Sequence, residues 1–205
     1  PIQNRLLSGL MDMGYRFQAG SRFHNNKGKL RLTDELKRRL RPILSNLTSR
    51  DIASMPFHFL IIEAGFYQDL ALAQRAGAVQ ALEAEGVSYD IISVPGALEI
   101  PAALKIAHLS ETHFDGYVAL GCVIRGQTSH YDTVCSESAR GLMDLSIQHD
   151  LAIGNGILTV ENAEQAWERA DKDKLNKGGG AALAALAMAR LKADFTSQLL
   201  SAGTS

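Results

Sequence analysis

The sequence predicts a three-layer α/β/α domain on a four-stranded parallel sheet, preceded by a basic N-terminal extension. Three observations carry that expectation. Short continuous apolar runs, of the kind a strand buried on both faces needs, recur along the chain. Between them lie segments with apolar and alanine positions at helical spacing. The alternation begins only after Met55, where the charge balance also changes: residues 1–54 hold eleven of the 21 Lys and Arg but four of the 22 Asp and Glu.

The first strand is expected in Phe57–Ile62. Gln68–Glu85 follows as a helix, with Leu72, Ala73, Ala76, Val79 and Leu82 at helical spacing and Gly86 as its stop. Tyr89–Val94 is the second strand, closed by Pro95 and Gly96. Ile100–Leu109 is a helix with Pro101 in its first turn, where a missing N–H costs little. Tyr117–Leu120 is the third strand, Asp132–His149 the third helix and Ile153–Val160 the fourth strand. Ala163–Ala170 and Ala181–Lys192 are the last helices, with Gly178, Gly179 and Gly180 as punctuation between them. Upstream, Ser21–Lys29 reads as loop, and Thr33 could cap a short helix over Asp34–Arg41 that Pro42 stops. The domain is placed at 55–195, between the extension 1–54 and a tail 196–205.

Apolar residues make up 46% of the chain and charged residues 21%, which is ordinary for a globular protein. No apolar run approaches the roughly 18 residues of a membrane span. The N-terminus lacks an apolar stretch followed by a small-residue cleavage site. Cys122 and Cys135 are too few for a disulfide framework and lack metal-ligand spacing, so a reduced, cytoplasmic setting is expected, with no metal. The run Lys37-Arg38-Arg39-Leu40-Arg41 reads as a solvated face or tail rather than a nucleic-acid-binding arm. The segment is also Arg-rich and acid-poor in the manner of a transit peptide, and Met55 offers an alternative start; these readings stay open.

In open parallel sheets ligands bind beyond the carboxyl ends of the strands. Chemistry is therefore expected in Glu63–Tyr67, Val94–Glu99, Gly121–His130 and Thr159–Asn162. The segment from Gly121 to His130 is the most informative, because a Gly-bounded loop running into a helix start offers N–H groups to phosphate. Thr128 and Ser129 add hydroxyls, and His130 titrates near neutral pH. The plain alternative is an ordinary loop with a capping threonine and a surface histidine. Glu99 either complements its helix N-terminus or accepts from a polyhydroxyl ligand. Phe66 is either a satellite core residue or a ring that stacks on a planar heterocycle. Arg169 and Lys177 flank the charged connector Asp171-Lys172-Asp173-Lys174; both are solvated charges or anion clamps. There is no P-loop, and the glycine spacing of a dinucleotide fingerprint is absent.

Five segments fall in one order and spacing: Val94–Pro101, Gly121–Gly126, Thr128–Asp132, Gly156–Asn162 and Asn176–Gly178. Together they resemble the lumazine synthase family over about two-thirds of the chain. The resemblance implies a flavodoxin-like fold and condensation of 5-amino-6-(ribitylamino)uracil with 3,4-dihydroxy-2-butanone 4-phosphate to 6,7-dimethyl-8-ribityllumazine, without cofactor. It implies that Phe66 stacks on the pyrimidine and that Ala97, Leu98 and Glu99 bind the ribityl chain. Cys122, Val123 and Ile124 would read the uracil edge through their main chain. Gln127 and Thr128 would form the phosphate turn, His130 would shuttle protons, Arg169 would hold the phosphate, and Lys177 would lie near the ribityl chain. Asn155 stands where many members carry a phenylalanine, contributed to the neighbouring subunit's pocket. The family resemblance further implies a homopentamer or higher assembly with sites between subunits, and riboflavin synthase as a further partner. A flavin or lumazine carrier is the alternative from another class; the combination of His130, Arg169 and Lys177 argues against it.

Overall fold

In the computed structural model the described residues are 24–25, 30–31 and 56–202. The chain divides into two compact units, Pro56–Lys192 and the flanking segments 1–55 and 193–205, each described by itself. In the flanking unit, β1 (His24–Asn25) pairs antiparallel with β2 (Leu30–Arg31). This corrects the loop reading of Ser21–Lys29 at His24–Asn25, which are strand; polarity alone does not separate a short polar strand from loop. The helix expected over Asp34–Arg41 lies outside the described residues.

The main unit is built as the alternation predicts. Its elements are β3 (His58–Ala64), α1 (Gln68–Ala84), β4 (Ser88–Val94), α2 (Glu99–His108), β5 (Gly116–Ile124), α3 (His130–His149), β6 (Ile153–Val160), α4 (Ala163–Ala170) and, as far as Lys192, α5 (Lys177–Ala202). The strands pair in parallel in the order β4-β3-β5-β6. This flavodoxin-like order reverses direction between β3 and β5, which opens a crevice at their carboxyl ends.

Alternate side chains of the central strands feed two apolar layers. Phe59, Ile61, Val118 and Leu120 pack with Ala78 and Leu82 of α1 and with Ala182, Ala185 and Leu186 of α5. Leu60, Ile62, Tyr117 and Ala119 pack with Ile100 and Leu104 of α2 and Leu142 and Leu145 of α3. Burial on both faces is why β3 and β5 read as unbroken apolar runs. The edge strand β6 instead alternates, with Gly154, Gly156, Leu158 and Val160 buried and Asn155 and Thr159 exposed.

Three boundaries differ from the sequence reading by more than a residue or two, one of them the end of α5, which runs to Ala202 rather than Lys192 and takes in part of the expected tail. β5 continues through Ile124, because Gly121–Ile124 stay in register with Ile157–Val160. The residues taken as loop there are strand. α5 starts at Lys177 rather than Ala181, and Gly178–Gly180 form its first turn. A Cβ on Gly178 would fall on the Gln74 carbonyl of α1, so the glycines let two helix backbones touch. Asn176, at φ 44°, aims its Oδ1 at the Gly179 N–H (3.0 Å) and closes the turn before α5.

Candidate active site

A cleft of about 520 Å³ opens where the sheet order reverses. Three strand ends line it: Phe66 and Tyr67 after β3, Pro95–Glu99 after β4, and Cys122–Ile124 with Gly126, Thr128, His130, Tyr131 and Val134 after β5. Size and mixed lining suit a drug-sized polar heterocycle.

Each wall is fixed locally. The Gly65 N–H donates to the Val94 carbonyl (2.8 Å), tying the first turn to the second. Phe66 then projects with 73% of its surface exposed, its ring edge-on to Tyr67 at 4.9 Å. Exposure of a large ring on a cleft rim disfavours the satellite-core reading. Glu99 is the first residue of α2, and no side chain caps that helix. Its carboxylate therefore sits at the positive helix end while facing the cleft; the two readings of Glu99 describe one position. Below the turns, Glu63 is buried and accepts from Arg75 (3.1 Å) and Ser93 (2.8 Å). That pairing takes Glu63 out of the expected ligand segment and makes it a tie between β3, β4 and α1.

The β5 end contributes backbone and thiol. Burial pushes the Cys122 thiol up to about 11, so it is a neutral, apolar wall at physiological pH. Its side chain packs with Leu70, Val160 and Ala166. The turn beyond runs over Arg125–Ser129. The Arg125 N–H donates to the Val160 carbonyl (2.9 Å), and the His130 N–H approaches the Thr128 hydroxyl at 3.4 Å. Ser129 occupies the N-cap position of α3 without a side-chain cap bond. The Ser129 side chain thus leaves α3 uncapped, while the Thr128 hydroxyl stands near its first N–H and the Ser129 carbonyl accepts from the Asp132 and Thr133 N–H groups (3.0 and 3.3 Å).

The cleft brings together Phe66, Ala97, Leu98, Glu99, Cys122, Val123, Ile124, Thr128 and His130. Gln127, Asn155, Arg169 and Lys177 do not line it. Gln127 is exposed on the turn. Asn155 is exposed on β6, its Oδ1 accepting from the Ile157 N–H (3.0 Å). Arg169 bonds the Gln165 carbonyl (3.0 Å) and approaches Glu168 (3.3 Å). Lys177, the exposed first residue of α5, puts a cation at a helix N-terminus, a placement the macrodipole disfavours. Sequence reasoning gave no role to Tyr67, Gly126, Tyr131 or Val134; all lie within or beside the strand-end segments, and only the turn of α3 brings Tyr131 and Val134 back over the cleft. Among the described residues no cluster of His, Cys, Asp and Glu could hold a metal.

The family model described as 6,7-dimethyl-8-ribityllumazine synthase matches residues 56–193. Over 138 residues the chain is 59% identical to the 6,7-dimethyl-8-ribityllumazine synthase of Bartonella tribocorum, covering 67% of this chain and 91% of that protein. It is 57% identical over 141 residues to 6,7-dimethyl-8-ribityllumazine synthase 1 of Rhizobium meliloti, covering 67% and 92%. The synthase of Afipia carboxidovorans is 59% identical over 137 residues, covering 65% and 84%. Matched along its whole α/β unit by the model and by these relatives, the chain belongs to the 6,7-dimethyl-8-ribityllumazine synthase family.

Proposed function

We propose that this protein condenses 5-amino-6-(ribitylamino)uracil with 3,4-dihydroxy-2-butanone 4-phosphate, giving 6,7-dimethyl-8-ribityllumazine, phosphate and water, in riboflavin biosynthesis. The observation that carries the reading, beside family membership, is the convergence of Phe66, Ala97–Glu99, Cys122–Ile124, Thr128 and His130 on one cleft. The Phe66 ring stacks on the pyrimidine. Main-chain groups of Cys122–Ile124 read its edge, and Glu99 accepts from ribityl hydroxyls. The start of α3, where Ser129 makes no side-chain cap bond, receives the phosphate together with Gln127 and Thr128. The uracil amine attacks the ketone carbonyl and water leaves as the imine forms. Loss of phosphate leaves an enol that tautomerises to a carbonyl, and attack there by the ribityl-bearing nitrogen, with departure of a second water, closes the second ring. His130, at the cleft wall, moves protons between these steps. These bonds balance without a redox agent or a metal.

Asn155, Arg169 and Lys177 act in the cleft of a neighbouring subunit, in a homopentamer or a higher assembly. Their absence from their own cleft, with Asn155 and Lys177 exposed and Arg169 half-buried, supports that reading. Phosphate clamping by the neighbour's arginine is charge-assisted and bidentate. No helix among the described residues is long and apolar enough to cross a membrane, which fits a cytoplasmic setting. Riboflavin synthase is the expected further partner, and the basic extension 1–54 stands outside the chemistry.

The test is lumazine formation from the two substrates, followed by absorbance, with the whole chain and with one beginning at Met55. Both turn over on this reading; folded protein without product sinks it. His130→Ala slows turnover by about 10²-fold, the usual share of positioned proton transfer. A wild-type rate in that variant removes His130 from the chemistry.

A further inference from the structure

Arg125 is the exposed residue that begins the turn before α3, and the structure surrounds its guanidinium on three sides. Its Nε lies 2.9 Å from Glu161, just beyond β6. Its Nη1 lies 3.3 Å from Asp132 in the first turn of α3. The same group sits 3.9 Å over the ring of Tyr131, a cleft residue. Its own N–H is bonded to the Val160 carbonyl. One side chain thus joins the end of β5, the end of β6 and the first turn of α3. Gly126–Ser129, strung between these anchors, has no regular structure and no side-chain cap.

We infer that Arg125 is a positioning residue for the phosphate turn, acting by bracing that turn and by neutralising two carboxylates beside it. The inference rests on the synthase reading above. A surface ion pair contributes little to stability, so the network has small weight as a fold-stabilising device. Its electrostatic weight at the turn is larger. Without Arg125, Asp132 and Glu161 leave two uncompensated negative charges where its guanidinium stood, at the start of the turn to which a dianionic substrate must come. The planar group also stacks on Tyr131, a contact that lysine does not reproduce.

The test is steady-state kinetics of the whole chain with each substrate varied in turn. Wild-type protein must first turn over; failure there sinks the synthase reading itself. With wild type active, Arg125→Met is expected to raise KM for the phosphorylated butanone about fivefold or more, while kcat and KM for the uracil stay within about twofold. Adding Glu161→Gln to Arg125→Met lowers that KM again, because one of the two repelling charges is gone. Arg125→Lys falls between wild type and Arg125→Met, keeping the charge without the stack. An unchanged KM for the phosphorylated substrate overturns the inference, and so does an equal rise in both KM values, the mark of a merely structural role. If Arg125→Met does not fold, Glu161→Gln alone decides: a lower KM for the phosphorylated substrate supports the inference, and an unchanged or higher one overturns it.

Discussion

Gly96 owes its place to Glu99. A Cβ built on it would stand 3.0 Å from the Glu99 Oε2, so the turn after β4 admits the carboxylate only because nothing projects from residue 96. Glu99 is exposed and its end is flexible; it can move by a few tenths of an ångström at small cost to the fold. Its aim changes nonetheless. Gly96→Ala is expected to leave the melting temperature nearly unchanged and to raise KM for the ribityl substrate roughly three- to tenfold, since a misaimed charged acceptor loses part of about 1.5–3 kcal/mol. Equal KM values for variant and wild type would take Glu99 off the ribityl chain. At this scale the sequence displayed the right residue types but not their alternatives' resolution. The cap position and the proposed acceptor position of Glu99 are one location, because the helix start is itself a wall of the cleft. Glu63, in contrast, looked like a ligand from its place near a strand end, and only the three-dimensional register with Ser93 shows that its partner is inside the protein.

Elements were legible wherever hydrophobic period alone decides them. β6 and α4 have the bounds the pattern predicts, and β3, β4, α1, α2 and α3 differ by a residue or two at their ends. The pattern failed where glycine served packing rather than chain reversal. Gly178-Gly179-Gly180 reads as a break, yet α5 begins ahead of it. The three positions differ in what a side chain would meet, and that difference is testable. A Cβ at Gly178 falls on the α1 backbone at Gln74, which cannot swing aside, whereas nothing lies within 4 Å of one at Gly180. Gly178→Ala is expected to destabilise the protein by about 1–3 kcal/mol, as overpacking against a rigid neighbour does. Gly180→Ala should stabilise it by up to about 1 kcal/mol through helix propensity. Thermal unfolding of the pair checks both signs; equal shifts in one direction would mean that α5 does not rest on α1 as described. β5 was underestimated for a related reason. Gly121 suggests a turn, but its missing Cβ accommodates Ala64 and Ile100 while the strand runs on to Ile124.

At the scale of the whole molecule the two ends of the sheet differ in chemistry. The cleft occupies the carboxyl end, and the C-termini of α2 and α3 bring a basic group to the other. His108 and His149 have ring centroids 5.6 Å apart, and Lys105 Nζ lies 2.7 Å from His149 Nε2. Burial, then Lys105, His149, Lys192 and His113, hold His108 below the ordinary imidazole value of 6.5, while Asp150 and Asp115 face Lys192. A histidine whose pKa falls on folding takes up protons more readily when unfolded, so its contribution is intact above pH 6.5 and is lost as the pH falls through the lowered native value. Stability should therefore drop on acidification below 6.5, and His108→Phe should flatten that slope; an unchanged slope assigns the drop elsewhere. The carboxyl end poses the question of assembly. His130 lines its own cleft and Arg169 does not; the proposed shared site, in a closed ring, would take the two from different subunits. His130→Ala and Arg169→Ala subunits, unfolded together in equal amounts and reassembled, then form sites at random. Half the subunits supply His130 and half of their neighbours supply Arg169, which makes about one site in four fully wild-type. The mixture should regain close to a quarter of the wild-type rate while either variant alone stays impaired. If Arg169 instead served its own subunit's cleft, every site in the mixture would carry one lesion, and mixing would restore nothing.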